Sequence, residues 1–138
     1  MLPVHAESVR LFLHVLGATV WVGGQIVLAA LVPALRRTGG RDATLAAARR
    51  FQLVAWPAFA LLLATGVWNL FAVHAADQSS SYLRTLFVKL VLVAVSGIGA
   101  LGHTLFARRS PALGGVLAGV GLLAALGATF LGVLLNVG

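Results

Sequence analysis

Few side chains in this sequence can do chemistry, and they recur at helical spacing in otherwise apolar surroundings. Lys89, Ser96 and His103 lie seven residues apart, so one stripe of a single helix would carry all three. His14, Ala18, Trp21 and Gln25 alternate spacings of four and three and form a second stripe. Gly115, Gly119, Leu122, Thr129 and Asn136 form a third, while Thr65 and Asn69 stand one turn apart. An imidazole such as His14 is open to two readings: a neutral ring hydrogen-bonded across helices, or a ligand for haem iron, copper or zinc. Lys89 can snorkel to head groups, or be held inward to pair with an anion or ligate a metal. His103 lies close to Arg108 and suits either an interfacial place or a ligand role. His5 and His74 flank the apolar stretches and, with Glu7 and Asp77, could make a weak cation site. Trp21 joins His14, Lys89 and Asn69 as a candidate cofactor contact, although Trp21, Trp56 and Trp68 equally suit packing or an interfacial belt. Walker loops, nucleophile elbows, HExxH and paired intramembrane carboxylates do not occur, so hydrolytic chemistry has no support.

The elements that must position these residues follow from composition. The 138 residues are 60% hydrophobic and 9% charged, and the chain has no cysteine. Its mean hydropathy of +1.02 is far above that of a domain with a watered surface. Thiolate metal sites, iron–sulfur clusters and disulfides are excluded. The charges bound long stretches that have almost none: Leu11 to Leu35, Phe51 to Ala76, Thr85 to Ala107 (with Lys89), and Ser110 to Gly138. Roughly 20 apolar residues suffice to cross a bilayer, so each stretch is long enough. The expected architecture is all-α: one integral membrane four-helix bundle over residues 1–138, with helices near 8–35, 46–75, 82–108 and 111–137. Thr38-Gly39-Gly40 reads as a turn, Asp42 as a helix cap, and Ser110-Pro111 as the start of helix four. Pro57 is expected to kink helix two, and Gly115 to Gly119 is a GxxxG that permits close approach of another helix.

Seven of the ten basic residues fall in the first and third connections: Arg36, Arg37, Arg41, Arg49, Arg50, Arg108 and Arg109. The positive-inside rule then places both termini outside, in the inner (plasma) membrane of a prokaryote. The net charge of +7 fits this topology and anionic lipid rather than nucleic acid. At about 1.5 Å per residue, His14, Asn69 and Lys89 share one depth in the outer leaflet, and the stripes of helices one and three are expected to face each other. A faint echo links Leu11-Phe12-Leu13-His14 with Leu86-Phe87-Val88-Lys89, as in a parallel repeat of two hairpins.

The segment Leu13-His14-Val15-Leu16-Gly17-Ala18-Thr19-Val20-Trp21-Val22-Gly23-Gly24, closed by Pro33-Ala34-Leu35-Arg36-Arg37, resembles the first helix of the copper-resistance D (CopD) domain. The resemblance continues through Arg49-Arg50-Phe51, Thr65-Gly66-Val67-Trp68-Asn69, Tyr82-Leu83 and Lys89-Leu90-Val91-Leu92-Val93, covering roughly residues 9–109. The pattern is more distantly similar to HemJ-type protoporphyrinogen oxidases, four-helix proteins associated with haem. That similarity implies functional importance for a first-helix histidine and a third-helix lysine, positions matched by His14 and Lys89. The Trp-Val-Gly-Gly segment and the lack of a histidine midway along helix three depart from that second family.

Three functions are therefore open. The CopD resemblance implies copper uptake or tolerance, with His5, His14, His74 and His103 as the imidazole inventory. Cu(I) sites favour Met and Cys, however, and the one Met is the first residue. A b-type haem redox protein, possible as a haem-dependent oxidoreductase, needs one imidazole, a second axial group or an open site, and an apolar slot. An accessory subunit of a larger membrane complex, or a homo-oligomer, needs neither metal nor haem.

Overall fold

The structure is a computed structural model that describes residues 4–137, and these are helical almost throughout. Helix α1 spans Ala6–Ala18 and passes through a π-helical turn, Thr19–Gly23, into α2, Gly24–Ala72. A 3-10 turn, Ala75–Asp77, leads to α3, Ser80–Phe106, and α4 follows at Pro111–Val137. Among the described residues, three helical stretches are long and apolar enough to cross a membrane: Ala6–Ala72, Ser80–Phe106 and Pro111–Val137.

The first stretch is not straight. Gly40 has φ 64° and ψ −159°, a backbone conformation that opens a helix and that side chains bearing a Cβ rarely adopt. Helical geometry resumes at once, and Thr44 Oγ1 donates to the Gly40 carbonyl (3.0 Å). The chain doubles back there. A Cβ at Gly17 would meet Ala58 O and Leu62 Cγ at 3.1 and 3.0 Å, the Trp21 ring packs tilted against Trp56 and Phe59, and Gly24 lies under Phe51. As one partner's number rises the other's falls, so the segments on either side of Gly40 run antiparallel. The turn expected at Thr38-Gly39-Gly40 is thus present but narrower, with helix continuing to its edge on both sides. Asp42, expected as a cap, lies within the helix instead. Pro33 and Pro57 both sit inside α2.

The chain divides into two compact units, Met1–Val73 and His74–Gly138. In the second, α3 begins where Ser79 Oγ accepts from the Tyr82 amide (3.2 Å), an N-cap that satisfies an otherwise orphaned donor. Pro111 opens α4 as expected, with Ser110 Oγ accepting from the Leu113 amide (3.4 Å). The two helices pack antiparallel along a seam of small residues. A Cβ on Gly99 would lie 2.8 Å from Gly121 Cα, and one on Gly114 would lie 2.7 Å from Ala107 Cα. Ser96 on α3 is 1% exposed, and Ala124, Ala125 and Ala128 on α4 are buried as well. Glycine and alanine let the backbones approach closely enough for dispersion to bind two helices in an apolar solvent.

This seam differs from the one the GxxxG suggested. Gly115 and Gly119 are exposed, and a Cβ on either would meet nothing within 4 Å among the described residues. The two sets of glycines therefore predict opposite outcomes. Gly99→Val should lower the melting temperature sharply in detergent, by the roughly 1–3 kcal/mol or more of an overpacked core. Gly115→Ala and Gly119→Ala should stay within about 0.5 kcal/mol of the parent protein. Circular dichroism melts of the three variants check both.

Candidate functional site

His14 lies on the face of α1 that packs against the far arm of α2, half-buried beside Thr65 and Gly66. Its Nδ1 is 2.8 Å from Thr65 Oγ1. The single proton of that hydroxyl is already committed, because Thr65 Oγ1 donates to the Leu61 carbonyl at 2.7 Å. Thr65 must then accept, so His14 Nδ1–H is the donor. In its neutral form the ring then carries its proton on Nδ1 and its lone pair on Nε2, the nitrogen suited to a metal. Thr65 itself is 3% exposed. Glycine at position 66 keeps bulk away from the imidazole: a Cβ there would already touch His14 Cε1 at 3.7 Å.

Below the histidine the packing is aromatic. Trp21 is 3% exposed within the π-helical turn, its ring centroid 4.4 Å from Phe59 and 5.5 Å from Trp56. Trp56 and Phe59 meet edge to face, which closes a three-ring cluster. Gln25 Nε2 donates to the Trp21 carbonyl (2.9 Å), supporting a backbone group that the wider π turn disturbs. Trp21 therefore builds the floor that holds α1 against α2 at this level.

The other candidates are placed as follows. Asn69 is half-buried one turn beyond Thr65 on α2, on the same side of the hairpin as His14. His5 is the residue before α1, exposed, and forms no side-chain cap. His74 is exposed and holds a left-handed backbone with φ 48° between α2 and the 3-10 turn. His103 Nδ1–H donates to the Gly114 carbonyl (2.8 Å), tying the end of α3 to the start of α4. Lys89 is half-buried in the second unit, with Nζ 3.1 Å from the place a Cβ of Gly132 would occupy, so it lies along α4. Among the described residues no three of His, Cys, Asp and Glu come together as a metal site.

One residue carries more weight than its sequence place suggested. Arg10, the charge that precedes the apolar stretch Leu11 to Leu35, is 5% exposed. It stands four residues before His14 on the same helix face, and that spacing was the available signal. Compared with protein-family models, with curated proteins and with solved structures, the chain matches none.

Thr65→Val removes the acceptor of the His14 proton at almost constant volume. It should cost about 1 kcal/mol of stability. Any metal affinity that His14 supplies should fall roughly 10- to 100-fold, as for the loss of a group that orients a ligating imidazole. Thr65→Ser should keep both. Thermal melts and metal or haem titration of the two variants give the comparison.

Proposed function

We propose that this chain is a CopD-like multi-pass membrane protein whose first unit presents His14 as the imidazole ligand of a metal centre. The observation that carries the proposal is the bond from His14 Nδ1–H to Thr65 Oγ1, which anchors the ring through Nδ1 and places its lone pair on Nε2. Ligating histidines in proteins are held in this way by their second nitrogen. In this reading Gly40 separates two spans, so the chain crosses the membrane four times. Both termini face outward from a prokaryotic inner membrane, as the clustering of Arg36, Arg37, Arg41, Arg49, Arg50, Arg108 and Arg109 favours.

The donor set ranks the occupants. A b-type haem asks the protein for one imidazole and apolar walls; His14 supplies the first, and the apolar helices around it are of the right character for the second. When bound it supplies a one-electron couple, and the protein would act as a membrane redox component or oxidoreductase. His14 would hold the iron, Thr65 would fix the ring, and the aromatic floor of Trp21, Trp56 and Phe59 would exclude water. Copper handling, uptake or tolerance, is the second reading, favoured by the CopD-like run from Leu13 to Gly24. It requires donors that the described residues do not gather into one cluster.

An absorption spectrum with metal analysis, on protein purified gently from its native membrane, decides between them. A Soret band that disappears in His14→Ala is the expected result. Stoichiometric copper without a Soret band would transfer the assignment to copper handling, and neither would leave an accessory subunit. A reporter fused after Gly138 should be active only outside the cytoplasm; cytoplasmic activity would invert the proposed topology.

A further inference from the structure

Arg10 presents a buried cation with donors to spare. The residue is 5% exposed, and Nε and Nη1 lie out of contact with solvent with no hydrogen-bond partner among the described residues. Glu7 does not satisfy it: the nearest approach, Nη2 to Oε1, is 3.7 Å, and the Glu7 side chain is 75% exposed. A guanidinium cannot shed its proton to escape burial, and leaving its donors unmade is among the costlier defects a fold can carry. An arginine so placed is suited to a planar or tetrahedral oxyanion, which its fork of donors matches in shape as well as charge.

Position narrows the ligand. Arg10 and His14 share one face of α1, and the antiparallel register that sets His14 beside Thr65 brings Arg10 level with Asn69. The amide of Asn69 offers two further donors at that level. We propose that Arg10 is the receptor for an oxyanion, one helical turn from His14 toward the start of α1. The anion is either a carboxylate of a haem held by His14 or the phosphate of an anionic lipid. The carboxylate source rests on the haem reading of His14; the phosphate source stands without it.

Two titrations of the purified full chain in neutral detergent distinguish these. Native mass spectrometry compares phosphatidylglycerol with phosphatidylcholine, and visible absorption compares ferric protoporphyrin IX with its dimethyl ester, which lacks the carboxylates. The parent protein should prefer the anionic member of one pair by about tenfold or more. Arg10→Gln should abolish that preference while binding of the neutral member is unchanged. A preference for phosphatidylglycerol identifies the lipid phosphate, and a preference for the free-acid porphyrin identifies the carboxylate. If neither porphyrin binds, the haem reading fails, and the lipid pair still decides the role of Arg10. Should Arg10→Gln lose its helical signal, Arg10→Lys takes its place; it keeps the charge but not the fork, and the preference should weaken. Absence of any preference in the parent protein, or a preference that survives substitution unchanged, overturns the proposal.

Discussion

Apolar surroundings offer a backbone amide no partner other than the chain itself, and the long helices of this protein answer that constraint. The described residues accordingly spend almost all of their length in helix, and at two places where the ladder is disturbed a side chain is at hand. Gln25 reaches back to the Trp21 carbonyl beside the π turn, and Thr44 reaches the carbonyl of Gly40 beside the break. Thr65, Thr104 and Thr129 also turn their hydroxyls to carbonyls four residues earlier. A threonine that has spent its proton this way can only accept from elsewhere, and at Thr65 the same economy fixes the tautomer of His14. A backbone requirement thus becomes a statement about which imidazole nitrogen carries the proton.

What was legible in the sequence was whatever is encoded by the mean character of a stretch or by punctuation. The apolar runs, the Gly39-Gly40 turn and the start of α4 at Ser110-Pro111 belong to that class, because hydropathy, positive φ and a missing amide act locally. The helix through Arg41 to Ala46 was not legible, since charge ends an apolar run without ending a helix. Which glycines serve as contacts was not legible either. Gly115 and Gly119 have the motif, yet Gly99 and Gly121 make the close approach, because the rotation of each helix is set by all its neighbours together. His14 was visible as a candidate from its type and surroundings. The burial of Arg10 was not, because a lone arginine near the end of an apolar run has the same signature whether it faces solvent or protein.

The faint likeness between the two halves gains physical content from the two units. His14 and Lys89 occupy matching places in the echo, and each extends across its own helix pair to a position where the partner helix has glycine. Gly66 lies against the His14 ring, and Gly132 lies beneath the Lys89 ammonium. Glycine there lets a polar side chain lie close along the partner helix. The two residues thus each face a glycine of the partner helix, although one is an imidazole and the other a flexible cation.

The π-helical turn at Thr19–Gly23 amounts to one residue more than an α-helix would use over the same rise. Each residue of an α-helix advances the face by about 100°, but the wider turn absorbs its extra residue within one turn, so the segments on either side keep the relation they would have without it. Were the same residues wound as unbroken α-helix, His14 and Arg10 would swing together off the seam with α2 while the residues after Gly23 kept their places. The winding of this turn, rather than any side chain, is what sets His14 and Arg10 on the face that meets Thr65. Its loss at constant length would separate the aromatic floor from the residues above it with no loss of hydrophobicity.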